Sequence, residues 1–166
     1  MKRALLLIAM FGTAAHADPA NVIVADVGLH VVGLGFQRTV AEHIALQIDA
    51  ESYTPWTQET NFFDAQGFLV RARSFYYVTA APRGIWISPF TQIGIARGTR
   101  TGMAQESGLA WAVGVSAGYA WLVRDRIHIL LGAGLQYDVA RIGDPDTKPS
   151  FHSLWPQLDG SLGYAF

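Results

Sequence analysis

The chain has 166 residues, 51% of them apolar, with 17 glycines, an aromatic content of 12% and no cysteine. That is one domain's worth of material with ample surface to hide from water, which excludes both a disordered chain and a fold held by disulfides. Once Lys2 and Arg3 are set aside with the leader they belong to, 10 basic residues face 13 acidic ones, and a net charge of −3 offers no footprint for nucleic acid.

Residues 1–17 read as a secretory signal. Lys2 and Arg3 precede an apolar run from Ala4 to Phe11, and Ala15-His16-Ala17 forms an A-x-A cleavage site before Asp18. A run this short cannot cross roughly 30 Å of hydrocarbon as a helix, so cleavage after Sec-type export is expected. Residues 18–166 are then the mature domain. No later window holds the unbroken apolar stretch that a membrane helix needs. Period-two alternation recurs instead, in segments separated by turn-forming clusters.

Residues 21–37 leave room for two strands with a bend near Gly28, although their alternation is poor. In 44–56, Ile44, Leu46, Ile48 and Ala50 oppose Gln47, Asp49 and Glu51. In 67–78, Phe68, Val70, Ala72 and Tyr76 oppose Arg71 and Arg73. Residues 85–97 set Ile85, Ile87, Thr91, Ile93 and Ile95 against Ser88, Gln92 and Gly94. Residues 108–122 put Leu109, Trp111, Val113, Val115, Tyr119 and Trp121 on one face and Gly, Ala and Ser on the other. Residues 127–140 repeat that design, with His128, Gln136 and Asp138 among the small residues. The last segment, 154–166, opposes Leu154, Leu158, Leu162, Tyr164 and Phe166 with Gln157, Asp159, Ser161 and Gly163. Eight strands are the expected total.

The charges decide which face meets water. Through the middle of the six strands from residue 44 onward the bulky face carries no Asp, Glu, Lys or Arg. A lipid-facing Arg or Lys at mid-bilayer costs roughly 2–4 kcal/mol, so hydrocarbon is the expected surrounding and the small polar face is expected to line a narrow bore. With the chain ending on the periplasmic side, two aromatic girdles follow. Tyr53, Trp56, Trp111, Tyr137 and Trp155 fall at the outer interface, and Phe36, Tyr76, Tyr77, Trp86, Tyr119, Trp121, Tyr164 and Phe166 at the inner one. Short connections at 39–43, 79–84 and 123–126 are expected to face the periplasm, and longer ones at 57–66, 98–107 and 142–153 the exterior.

The C-terminal pattern Leu158, Gly160, Leu162, Tyr164 and a final Phe166 on one face resembles the last strand of bacterial outer-membrane barrels. The resemblance implies that Leu162, Tyr164 and Phe166 act as the signal read by the barrel-assembly machinery. The segment Gly35-Phe36-Gln37-Arg38-Thr39-Val40 is similar to a strand-turn-strand unit of small OmpA-like and OmpX-like barrels, which often have Glu where this chain has Gln37. The expected fold is therefore an all-β, antiparallel, up-and-down transmembrane β-barrel of the outer membrane of a Gram-negative bacterium. Such a fold assigns no activity by itself.

The first candidate site is the polar bore: Gln47, Asp49, Glu51, Arg71, Arg73, His128, Asp138 and Asp159. Its plain reading is a structural plug of paired charges, and a ligand or proton path is the lesser one. Some small outer-membrane barrels modify lipid A, and a lipid A deacylase of similar size has its catalytic His and Ser two apart on one strand face. Here His152 and Ser153 are adjacent and point to opposite faces, while His128 and Ser116 lie toward the periplasmic end. Gly132-x-Gly134 and Gly33-x-Gly35 sit inside strands, so neither is a phosphate loop. Arg97, Arg100 and Lys148 in the outer loops could pair with lipopolysaccharide phosphates.

The expected function is a structural or surface-interaction role, with a lipid A-modifying enzyme or a narrow porin-like pore as alternatives. The expected protein is monomeric and binds no metal, organic cofactor or nucleic acid. Its partners are outer-membrane lipids, lipopolysaccharide and, during biogenesis, the assembly machinery.

Overall fold

A computed structural model describes residues 20–54, 65–99, 104–142 and 151–166. The signal at 1–17, Trp56, Arg100 and Lys148 lie outside the described residues. Eight strands follow in chain order: β1 (Asn21–Gly28), β2 (Val31–Ala41), β3 (Ile44–Tyr53), β4 (Gln66–Tyr77), β5 (Gly84–Thr99), β6 (Gln105–Val123), β7 (Ile127–Ala140) and β8 (Phe151–Ala165). Each pairs antiparallel with the next, and β1 pairs with β8, closing the barrel. Closure gives every strand two neighbours, although strand ends outrun them in places, as β6 does beyond Ala120 on its β5 side.

The barrel is inside-out compared with one built for water. Leu34 is 68% exposed, Ile95 64% and Leu154 65%, whereas Arg71 and Glu51 are 0% exposed. Period-two alternation does this: with successive side chains on opposite faces, bulky residues at every second position must all point one way. β6 and β7 show what the small face is for. A Cβ on Gly132 would lie 2.5 Å from Cη2 of Trp86, one on Gly118 2.8 Å from its Cζ2, and one on Gly114 2.8 Å from Cε1 of Phe90. The small residues of β6 and β7 are the space that the large β5 side chains fill.

One end of the barrel, the turn end, holds the start of β1, the finish of β8 and three short connections. The β6–β7 hairpin turns at Arg124 and Asp125, whose φ angles of 52° and 56° are both left-handed, as a type I′ turn requires. The β2–β3 connection is shorter than the 39–43 expected: β2 runs on to Ala41, with a register irregularity between Thr39 and Ala41, and only Glu42 and His43 turn. The other end, the loop end, carries the longer connections. It also carries one short one, since the 21–37 region divides at Leu29-His30 with β2 extending beyond it.

Candidate functional site

The bore is layered. At the turn end Phe75, Tyr77, Trp86, Ala45, Ala120, Leu130 and Ala81 form an apolar layer, and Val22, Val24 and Ala165 of β1 and β8 form a separate small cluster with Leu122 against it. Phe75 meets Trp86 edge-on at 5.3 Å. At the loop end Val31, Tyr53, Leu69, Ala96, Ala110, Ala140 and Ile142 form a second layer. The charges lie between the two.

Arg71 and Arg73, both from β4, organise that centre. Arg71 donates from Nη2 to Asp26 Oδ2 at 2.6 Å, and the same nitrogen is ion-paired with Glu51. Its Nη1 lies 3.4 Å from Asp159 Oδ1, and its Nε 3.8 Å from Asp49 Oδ2. Arg73 donates from Nη2 to Asp159 Oδ2 at 2.9 Å and to Ser116 Oγ at 3.1 Å, and its Nη1 stands 3.6 Å from Asp26. Two glutamines hold the carboxylates from outside: Gln47 donates to Asp49 at 2.7 Å and Gln157 to Asp159 at 2.9 Å. Phe75 and Phe90 present their ring faces to the guanidiniums, Arg73 Cζ standing 4.7 Å from the Phe75 centroid and Arg71 Cζ 5.7 Å from that of Phe90. Such contacts suit a delocalised cation.

Of the eight polar residues expected to line the bore, Gln47, Asp49, Glu51, Arg71, Arg73 and Asp159 meet in this cluster. The other two do not. Asp138 lies toward the loop end, accepting from Gln136 at 2.9 Å, and His128 lies toward the turn end, where its Nε2 donates to the Pro82 carbonyl at 3.0 Å. Asp26 is a central member that the sequence reading missed, because both faces of Asn21–Gly28 look apolar. Its signal was available: outward Ile23, Ala25 and Val27 fix the parity that sends Asp26 inward.

Four aromatic residues expected at the membrane interfaces are inside the barrel instead. Trp86 is 1% exposed, and Tyr53 and Tyr77 are also fully buried. Trp155 shares the inward parity of Gln157 and Asp159 and meets His30 edge-on at 6.0 Å. In each case strand parity overrode the tendency of Trp and Tyr to gather at interfaces. Trp111, Tyr137, Tyr119, Trp121, Tyr164, Tyr76, Phe36 and Phe166 do point outward, with Tyr119 and Trp121 in ring contact at 4.7 Å.

Chemically the central cluster is a set of four carboxylates held by two guanidiniums. Ligand atoms of Asp26, Asp49 and Glu51 approach within 4.8 Å of one another, a spacing that suits a cation. Arg71 already stands among them with its Nη2 on two of the three. The histidines make no catalytic pair with the serines considered. His152 points outward while Ser153 shares the inward parity of Trp155, and His128 sits opposite Leu122 while Ser116 sits opposite Gly134 on the same ladder. His30, in the loop-end turn, is buried against Tyr53 and Trp155, and that burial holds its imidazole below the ordinary value.

The solved structures that this chain resembles are also β-barrels. Neisserial surface protein A matches with a TM-score of 0.62 at 15% identity, over 91% of this chain and 100% of that one. The N-terminal β-barrel domain of Pseudomonas aeruginosa OprF matches with a TM-score of 0.57 at 13% identity, over 90% and 99%. At such identities the likeness is one of fold. No curated protein matches in sequence. The family model described as "Protein of unknown function (DUF3575)" matches residues 5–143, and the chain belongs to that family.

Proposed function

We propose that this protein is an integral outer-membrane barrel with a sealed, charge-plugged lumen and a structural or surface-interaction role. The observation that carries this reading is the layering of the bore. Two apolar layers enclose a fully buried charge cluster, so ions crossing the barrel would have to displace Trp86 and Phe75 at one end and Tyr53 and Leu69 at the other. The exposed belt of Leu, Ile and Val supports hydrocarbon as the surrounding, since water would leave that area unburied.

In this reading the turn end faces the periplasm after removal of residues 1–17, and the loop end faces outward. Trp111 and Tyr137 anchor the outer interface, and Trp121 and Tyr164 the inner one. Leu162, Tyr164 and Phe166 engage the assembly machinery. Arg97, exposed at the loop end, contacts lipopolysaccharide phosphate together with Arg100 and Lys148 from the loops. The protein works as a monomer, without a metal or organic cofactor.

Planar-bilayer recording of the refolded barrel tests the plug: a flat trace is expected, and steady unitary conductance would overturn it. Gel migration before and after boiling tests the membrane reading, because a folded membrane barrel resists detergent until heated.

A further inference from the structure

The turn end carries a notch whose origin lies in the register. β5 begins at Gly84, opposite Ala120, while β6 continues to Val123. The β4–β5 turn does not run beside that extension. It folds across the mouth of the bore, where Ala81 N donates to the Glu42 carbonyl at 2.7 Å and the Pro82 carbonyl accepts from His128. Residues 121–123 of β6 thus have no strand neighbour on the β5 side. The gap is a cavity of about 430 Å³, lined by Tyr119, Trp121, Val123, Val78, Ile85 and Arg83. That volume falls within the roughly 300–1,000 Å³ of ordinary small-ligand sites.

Its chemistry is amphipathic in one direction. Tyr119, Ile85 and Val78 are outward-facing residues continuous with the apolar belt. Arg83 closes the notch at the turn, and Arg124 and Arg126 follow Val123 in the neighbouring turn together with the acid Asp125, while Glu42 belongs to the β2–β3 turn beyond. An occupant that matches this lining is apolar toward the belt and anionic toward Arg83.

We infer that this notch binds one anionic glycerophospholipid of the inner leaflet, with its phosphate against Arg83 and its first methylenes over Tyr119 and Trp121. The assignment rests on the membrane reading above. Guanidinium supplies the paired donors that a phosphate oxygen set accepts, and the two rings, inclined 50° to each other, supply an aromatic wall for the glycerol and upper chain.

Native mass spectrometry of the full mature barrel in mild detergent tests it, with dioleoylphosphatidylglycerol and dioleoylphosphatidylcholine as probes. One phosphatidylglycerol per barrel is expected, bound in preference to phosphatidylcholine. Arg83→Gln is expected to weaken it by about tenfold, the loss of one charge-assisted contact. Trp121→Ala should weaken both lipids. Leu154→Ala, at the far end of the barrel, should change neither.

Equal binding of the two lipids, retention unchanged in both notch variants, or a dimer in place of a lipid adduct would each overturn the proposal. Heat-modifiability of every variant is measured alongside. A barrel that shifts on boiling yet binds no lipid sinks the notch alone, whereas one that never shifts sinks the membrane reading.

Discussion

Arg71 on β4 reaches across the bore to Asp26 on β1, Nη2 to Oδ2 at 2.6 Å, although its register partner on the ladder is Asp49 of β3. The closer cross-strand carboxylate is left at 3.8 Å from Nε. The side chain therefore works as a strut between walls three strands apart, beyond its role in the pairing of β3 with β4. A guanidinium with five donors can serve several carboxylates at once, which a lysine could not do in the same plane.

That geometry makes the two sides of the cluster unequal. Replacing Arg71 with Met leaves Asp26, Glu51 and Asp49 facing one another without their shared cation, and should cost about 3–5 kcal/mol, as breaking a buried pair does. Replacing Glu51 with Gln removes one carboxylate from a set of four held by two guanidiniums, and should leave stability within about 1 kcal/mol of the parent or raise it. Urea unfolding of the barrel in lipid vesicles, followed by tryptophan fluorescence, measures both.

The small face of β7 is a packing requirement. Gly132→Ala places a methyl against the six-membered ring of Trp86, and overpacking of this kind costs about 1–3 kcal/mol. Trp86→Phe in the same chain removes the ring atoms in conflict and should recover most of the loss. Additive losses in the double variant would show that the two residues do not compete for one space.

On the outer surface, Leu158 lies midway along β8 and is 52% exposed. Leu158→Arg should destabilise the bilayer-inserted barrel by about 2–4 kcal/mol, the cost of a cation at mid-membrane. The same unfolding measurement reads it, and a neutral result would argue that this face is not in hydrocarbon.

His30 gives the barrel a pH dependence of definite sign. Burial lowers its pKa from 6.5 in the folded state. As pH falls below that value the unfolded chain takes up a proton that the folded imidazole refuses, so stability is lost on acidification and levels off below the folded pKa. His30→Phe keeps a ring against Tyr53 and Trp155 and removes the titration. The difference in unfolding free energy between parent and variant should shift against the parent as pH falls below the ordinary imidazole pKa of about 6.5. A difference independent of pH would remove the imidazole from this account.

Parity along single strands was legible in the sequence, because it depends on nothing beyond the alternation of side chains. The limits of Ile127–Ala140 and the inward direction of Gln47, Asp49, Glu51, Arg71, Arg73 and Asp159 could be read that way. The same parity, followed strictly, places Tyr53 with Glu51, Tyr77 with Arg73, Trp86 with Ser88 and Trp155 with Gln157. The expected aromatic girdles went astray only where interface preference was set above it.

Tertiary structure alone decided which inward groups meet. Closing eight tilted strands staggers them, so residues far apart in sequence reach one height in the bore. That stagger brings Asp26 and Asp159 to Arg71 while sending His128 and Asp138 to opposite ends. Alternation specifies a direction, in or out, for each side chain. Height along the bore comes from the register summed around the whole circle, and a single strand carries no record of it.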